Sequence, residues 1–192
     1  MKHLLSRSLV LAVVAVALGT ASLGAADQPP AADQPPAANQ APAADQPSDP
    51  GWKKFQGAWF EILYPATFTA EPSLKSTTST EGHDSAFFVS PDQAVAFYVF
   101  SPQWNGDPTD ILLKPETEKQ VTFEETEKDG KKVRTCTIAA KDGSYTRSYE
   151  DVEDPMTNTR LVFGIRYRDE KVLEQYQAQY KRFRESLVQF AD

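Results

Sequence analysis

The chain reads as an α+β domain in which an antiparallel β-sheet meander is packed by a long C-terminal amphipathic helix. Three observations predict this. Short aromatic and β-branched runs recur between Gly and Pro signals from residue 59 to residue 168. The pairs Asp129-Gly130 and Asp142-Gly143 carry the chemistry of tight hairpin turns. The last segment places Val172, Tyr176, Tyr180, Phe183, Leu187 and Phe190 at steps of three and four, which is one helical face. Strands joined mostly by hairpins and followed by a terminal helix define the α+β class.

Residues 1–26 read as a secretory signal peptide. Lys2 and Arg7 precede the apolar run from Ser8 to Gly19, and Gly24-Ala25-Ala26 places cleavage near Ala26. The run is shorter than the roughly 20 residues that span hydrocarbon. No Cys stands nearby for a lipid anchor. The expected product is exported, periplasmic or secreted, without a stable membrane anchor. Hexapeptides of the AADQPP type begin at Ala25, Ala31, Ala37 and Ala43 and lack aromatic and branched apolar residues. Residues 27–50 are therefore expected to be a disordered, extended linker, leaving residues 51–192 as a single domain.

Within that domain, Trp59–Tyr64 predicts a strand that stops at Pro65. The Ser/Thr-rich stretch 66–82 predicts irregular chain. Ser85–Val89 and Ala94–Phe100 predict a hairpin about Ser90-Pro91-Asp92-Gln93. Pro102–Pro108 predicts a loop, and Asp107-Pro108 the start of a short helix over Thr109–Lys114. Val121–Glu127, Lys132–Ala140, Ser144–Val152 and Arg160–Arg168 predict the meander, with a loop over Glu153–Thr159. Asp169 is placed to cap the final helix.

The pattern Phe60-x-Ile62-x-Tyr64-Pro65-x-x-Phe68, followed by a hairpin, a meander and a C-terminal helix, resembles the PsbP-like superfamily. That group includes extrinsic photosystem II subunits, bacterial envelope lipoproteins and a Ran-binding relative. Phe68 stands where Trp is common in the family. The resemblance covers about residues 52–190. It implies an antiparallel sheet between helices, an α/β/α sandwich, and a docking or accessory role that is usually non-enzymatic. It transfers no catalytic residue.

Composition narrows the function classes. Lys and Arg number 20 against 27 Asp and Glu, a net charge of −7, whereas a nucleic-acid binder needs the opposite balance. One Cys excludes an intramolecular disulfide and a Cys-based zinc cluster. Of two His, His83 is the one inside the domain, beside Asp84. A carboxylate neighbour in sequence does not make a triad, and neither G-x-S-x-G nor H-E-x-x-H is present. His83 reads as an exposed loop residue. Cys136 alternates with Ile138 and Ala140 and reads as a small core residue. Two oxygen-rich sets, Glu150/Asp151/Glu153/Asp154/Asn158 and Asn105/Asp107/Asp110, lack calcium-loop spacing and read as solvated acidic chain.

Two features point to recognition. Trp104 lies with Asn105 and Asp107 in a turn-rich loop, where a large aromatic supplies anchor area. Tyr145, Arg147 and Tyr149 share one strand face, where a guanidinium between phenols either holds an anion or forms a packing ladder. With no catalytic constellation, no metal set and no cofactor motif, the expectation is a non-catalytic binding or accessory module. Its partner would be an envelope or extracellular protein, or a small ligand. A carboxylate-dependent hydrolase and a carrier of an apolar ligand between helix and sheet are the alternatives. The hydrolase needs two carboxylates converging in a cleft, and the carrier needs an internal apolar cavity.

Overall fold

Ten strands, one α-helix and one 3-10 turn make up residues 49–190, which this computed structural model describes. The signal-peptide and hexapeptide-linker assignments lie outside the described residues, apart from Asp49 and Pro50. The strands are β1 (Trp52–Gln56), β2 (Phe60–Pro65), β3 (Thr69–Pro72), β4 (Ser85–Val89), β5 (Val95–Phe100), β6 (Glu118–Lys128), β7 (Lys131–Ala140), β8 (Thr146–Asp154), β9 (Thr159–Tyr167) and β10 (Val188–Gln189), with α1 at Glu170–Glu185. A seven-stranded sheet runs in the order β3-β4-β5-β9-β8-β7-β6, and a three-stranded sheet in the order β1-β2-β10. Every pairing is antiparallel. The class is α+β, as the patterning predicts.

Two meanders meet where β5 pairs with β9, and this junction holds the core. Every residue of β5 is buried, which is why VAFYVF shows no alternation: a central strand covered on both faces reads as continuous apolar chain. On one face, Phe88, Phe97, Val99, Phe163 and Ile165 meet Phe60 and Ile62 of the small sheet and Val172 and Phe183 of α1. The fully buried Phe183 ring lies 5.2 Å from Phe88, 5.3 Å from Phe97 and 6.0 Å from Phe163. Such offset and edge contacts add to the area that the rings bury. The Asp169 side chain accepts from the Val172 N–H and starts the helix, as predicted.

Beyond shifts of a few residues at strand ends, four parts of the chain differ from the sequence reading. The stretch 66–82 contains β3, whose ladder to β4 supplies what its polar composition lacks. Trp52–Gln56 forms a strand by pairing with β2. α1 ends at Glu185, so Leu187 and Phe190 leave the helical face on which their spacing put them. The Ser186 hydroxyl donates to the Phe183 carbonyl at 2.7 Å and accepts from the Leu63 N–H at 2.9 Å, turning the chain toward β2. Finally, the helix expected over Thr109–Lys114 is a 3-10 turn of Thr109–Ile111. The carbonyls of Ile111 and Leu112 accept from a buried guanidinium instead of continuing a helix.

Among the described residues α1 is the one α-helix; with the small sheet it covers one face of the large sheet. Segment 101–117, not a helix, lies over part of the other.

Candidate functional site

The register places Phe87, Tyr98, Gly164, Tyr149, Cys136 and Phe123 in one row across six strands, on the face away from α1. Gly164 is required there: a Cβ would come within 2.3 Å of the Tyr149 ring. Beside this row lies Arg147, buried with Glu118. Their contact is bidentate, Nε to Oε1 at 2.8 Å and Nη2 to Oε2 at 2.5 Å. Nη1 donates to the Ile111 carbonyl and to the Tyr149 hydroxyl, both at 2.8 Å, and Nη2 to the Leu112 carbonyl at 3.1 Å. All five guanidinium N–H donors are thereby used. Glu118 also accepts from the Tyr145 hydroxyl at 2.7 Å and the Lys114 N–H at 2.8 Å. Burial works to raise the Glu118 pKa, yet the bonds from Arg147, Tyr145 and Lys114 outweigh it and bring it down to about 2.

A second carboxylate, Asp110, lines the same recess and accepts from the Ser85 and Tyr98 hydroxyls, each at 2.7 Å. Burial, reinforced by the Asp110 charge, pushes the Tyr98 phenol far up, so it stays a donor. Asp110 and Glu118 converge, but on internal donors. Both clamp segment 110–118 to the sheet.

That clamp has an outward consequence. With its carbonyl fixed, Leu112 presents its side chain at 63% exposure, Leu113 stands beside it, and Phe123 of β6 faces them at 52% exposure. Between them lies a groove of about 380 Å³, floored by Cys136, Ile138 and Val162. Cys136 shares the face of Ile138 and Ala140 as its alternation predicts, but it is part-exposed at this floor rather than core. Burial raises its thiol pKa, opposed by the Arg147 charge.

One wall of the groove is a ladder of alternating charges. Arg134 contacts Glu125 at 2.7 Å, Glu153 at 2.9 Å and Asp151 at 3.4 Å. Arg160 forks onto Asp151 at 2.7 and 2.9 Å, then reaches Asp107 and the Gly106 carbonyl at 2.9 Å. Asn105 completes it, donating to Glu153 at 3.2 Å. The ladder therefore ties the Trp104 loop to β8 and β9. The two oxygen-rich sets noted in the sequence are largely paired: Asp151, Glu153 and Asp107 belong to this ladder, Glu150 to Arg184 on the opposite face, and Asp154 to Lys131.

The six residues singled out from sequence thus separate. Trp104, Asn105 and Asp107 lie on one exposed loop; of the three, Asp107 lines the groove, and all three line a smaller recess beside it. Tyr145, Arg147 and Tyr149 lie together beneath segment 110–118. His83 is part-buried in an isolated bridge with Lys75. Leu112, Leu113 and Phe123 were missed. The signal that could have found Leu112 and Leu113 is the apolar run Ile111-Leu112-Leu113 between Pro108 and Pro115, on a segment too short for an amphipathic helix.

The interior between helix and sheet is filled by the Phe68, Phe88, Phe97 and Phe183 rings. The recess lined by Leu173, Ala178, Tyr180 and Phe163 lies open along the helix edge.

No family model and no curated protein matches this chain. Among solved structures, the chain is similar to cyanobacterial PsbP (CyanoP) from Synechocystis sp. PCC 6803, at 9% identity and a TM-score of 0.43, covering 73% of this chain and 93% of that one. It is also similar to the Saccharomyces cerevisiae Ran-binding protein Mog1p, at 10% identity and a TM-score of 0.37, covering 73% and 96%. The likeness is one of fold.

Proposed function

We propose that this domain is an exported, non-catalytic binding module that docks a partner protein through the groove between Leu112/Leu113 and Phe123. The observation that carries the proposal is the exposed apolar cluster held rigid by the Arg147–Glu118 clamp. Fixing such side chains in advance lowers the ordering cost of binding, and apolar anchors beside a polar rim are what protein interfaces use. The Arg134/Asp151/Arg160 ladder supplies that rim, and Asp107 and Asn105 join it to the Trp104 loop. Tyr145 and Arg147 position the groove from beneath, and Tyr149 lines it. The carboxylates of Asp110 and Glu118 are engaged by internal donors, which favours a scaffold over a hydrolase.

The test is capture from an envelope extract by the wild-type protein, beside a Leu112→Ala/Phe123→Ala double variant and a Met156→Ala control. Met156 is 92% exposed and lies outside the groove. A specific partner should be retained by the control and bound about tenfold or more weakly by the double variant. Equal capture by all three proteins would remove the groove from the interface.

A further inference from the structure

On the other side of the Trp104 loop is a smaller recess of about 180 Å³, sharing Asp107 and Thr109 with the groove. Leu74, Phe100 and Pro102 give it apolar walls, Thr77 and Thr78 line it with hydroxyl-bearing side chains, and Trp104, 46% exposed, lines it as well. Asp84 is also among its lining residues. This residue is 7% exposed, and its Oδ1 is buried without a hydrogen-bond partner. The backbone around it is fully engaged, its N–H donating to the Leu74 carbonyl and its carbonyl accepting from the Ser101 N–H, both at 2.8 Å. The main chain at Asp84 is therefore fixed, and one carboxylate oxygen is unsatisfied.

We infer that this recess is a recognition site for an alkylammonium group, the apolar walls taking the stem, Asp84 the charged tip and Trp104 the cation face. An unpaired buried carboxylate is costly, and a cation that reaches it removes that cost. An indole over the same space adds cation–π attraction. Burial pushes the Asp84 carboxyl up against the lowering influence of Ser76, Thr77 and His83. The other charged groups lining the recess are Asp107, already paired with Arg160, and Lys75, an exposed cation. The volume suits one side chain or a small amine rather than a large ligand.

The experiment is a titration of the isotopically labelled protein, followed at the Trp104 indole N–H and the Thr77 and Thr78 amides. The probes are n-butylammonium and n-butanol, which share a stem and differ in charge. Saturable shifts at these three positions are expected from the ammonium, with the alcohol binding about tenfold or more weakly. Asp84→Asn should abolish that difference, and Trp104→Leu should weaken the ammonium about threefold. Equal shifts from both probes, or ammonium shifts that miss the Trp104 loop, overturn the inference. Should Asp84→Asn fail to fold, the comparison of the two probes on the wild-type protein still decides.

A capped lysine tripeptide then separates the sources. Tighter binding than butylammonium assigns the site to a partner's lysine, and exclusion of the peptide assigns it to a free amine.

Discussion

Arg147 has a paired carboxylate rather than an exogenous anion as its counter-charge, and this gives the domain an acid-sensitive clamp. The Glu118 pKa falls from an ordinary 4.5 to about 2 in the folded state. A depressed carboxylate pKa contributes stability that is fully present above the unfolded value and lost as pH falls through the folded one. The window is therefore from about pH 4.5 down to about pH 2, and the contribution at neutral pH is about 3 kcal/mol. Glu118→Gln should lower stability at pH 7 by about 3 kcal/mol, since it leaves Arg147 buried without its counter-charge. It should also flatten the acid limb across that window. Denaturant titrations of both proteins at pH 7, 4 and 2.5 check this; an unchanged acid limb would show that Glu118 is not its source. At this scale half of the clamp was legible. Arg147 between two tyrosines marks a special strand position, whereas Glu118 lies 29 residues away and looks like any polar strand residue. Nothing local joins them, because only the β6-β7-β8 register brings them to one face.

Elements were legible where their signal is local. The steps of four, four, three, four and three locate α1, and Asp169 starts it where capping chemistry predicts. Its end depends on β2, more than a hundred residues away, so periodicity alone carried the helix too far. β1, β3 and β10 share that origin: each is a short strand made by its partner rather than by its own propensity. The groove was hidden for a related reason. Leu112 and Leu113 fit a helical turn until Arg147 takes the Ile111 and Leu112 carbonyls. Two substitutions separate local from tertiary control of α1. Asp169→Ala removes one cap bond and should lower Tm by about 3 °C. Phe183→Ala empties the centre of the aromatic cluster and should cost about 4 kcal/mol, measured by chemical denaturation. If the cap proved the larger of the two, α1 would stand by itself rather than by packing.

Over the whole domain, burial is distributed unevenly across the large sheet, and stability against local opening should follow it. β5 and β9 lie between α1 and the small sheet on one face and segment 101–117 on the other. β6 is an edge strand, exposed from Lys119 to Lys128, with a register shift near Val121. Charges at Lys119, Glu124, Glu125, Glu127 and Lys128 guard it against edge-to-edge pairing. Few apolar contacts hold the outer part of the β6–β7 hairpin, so opening it exposes little surface that the core protects. Native-state hydrogen exchange should be slowest at Val95–Phe100 and Val162–Ile165, where opening requires global unfolding. It should be faster by orders of magnitude between Glu124 and Lys132. Amides near Glu118 should fall between these limits, because the buried Arg147 clamp fastens that end of β6 while the other end is held by the β7 ladder and an exposed ion pair. Glu118→Gln should then accelerate exchange in segment 110–120 far more than in β5. Uniform acceleration throughout the sheet would instead mean that the clamp belongs to the global folding unit, and that the groove it presents opens only when the whole domain unfolds.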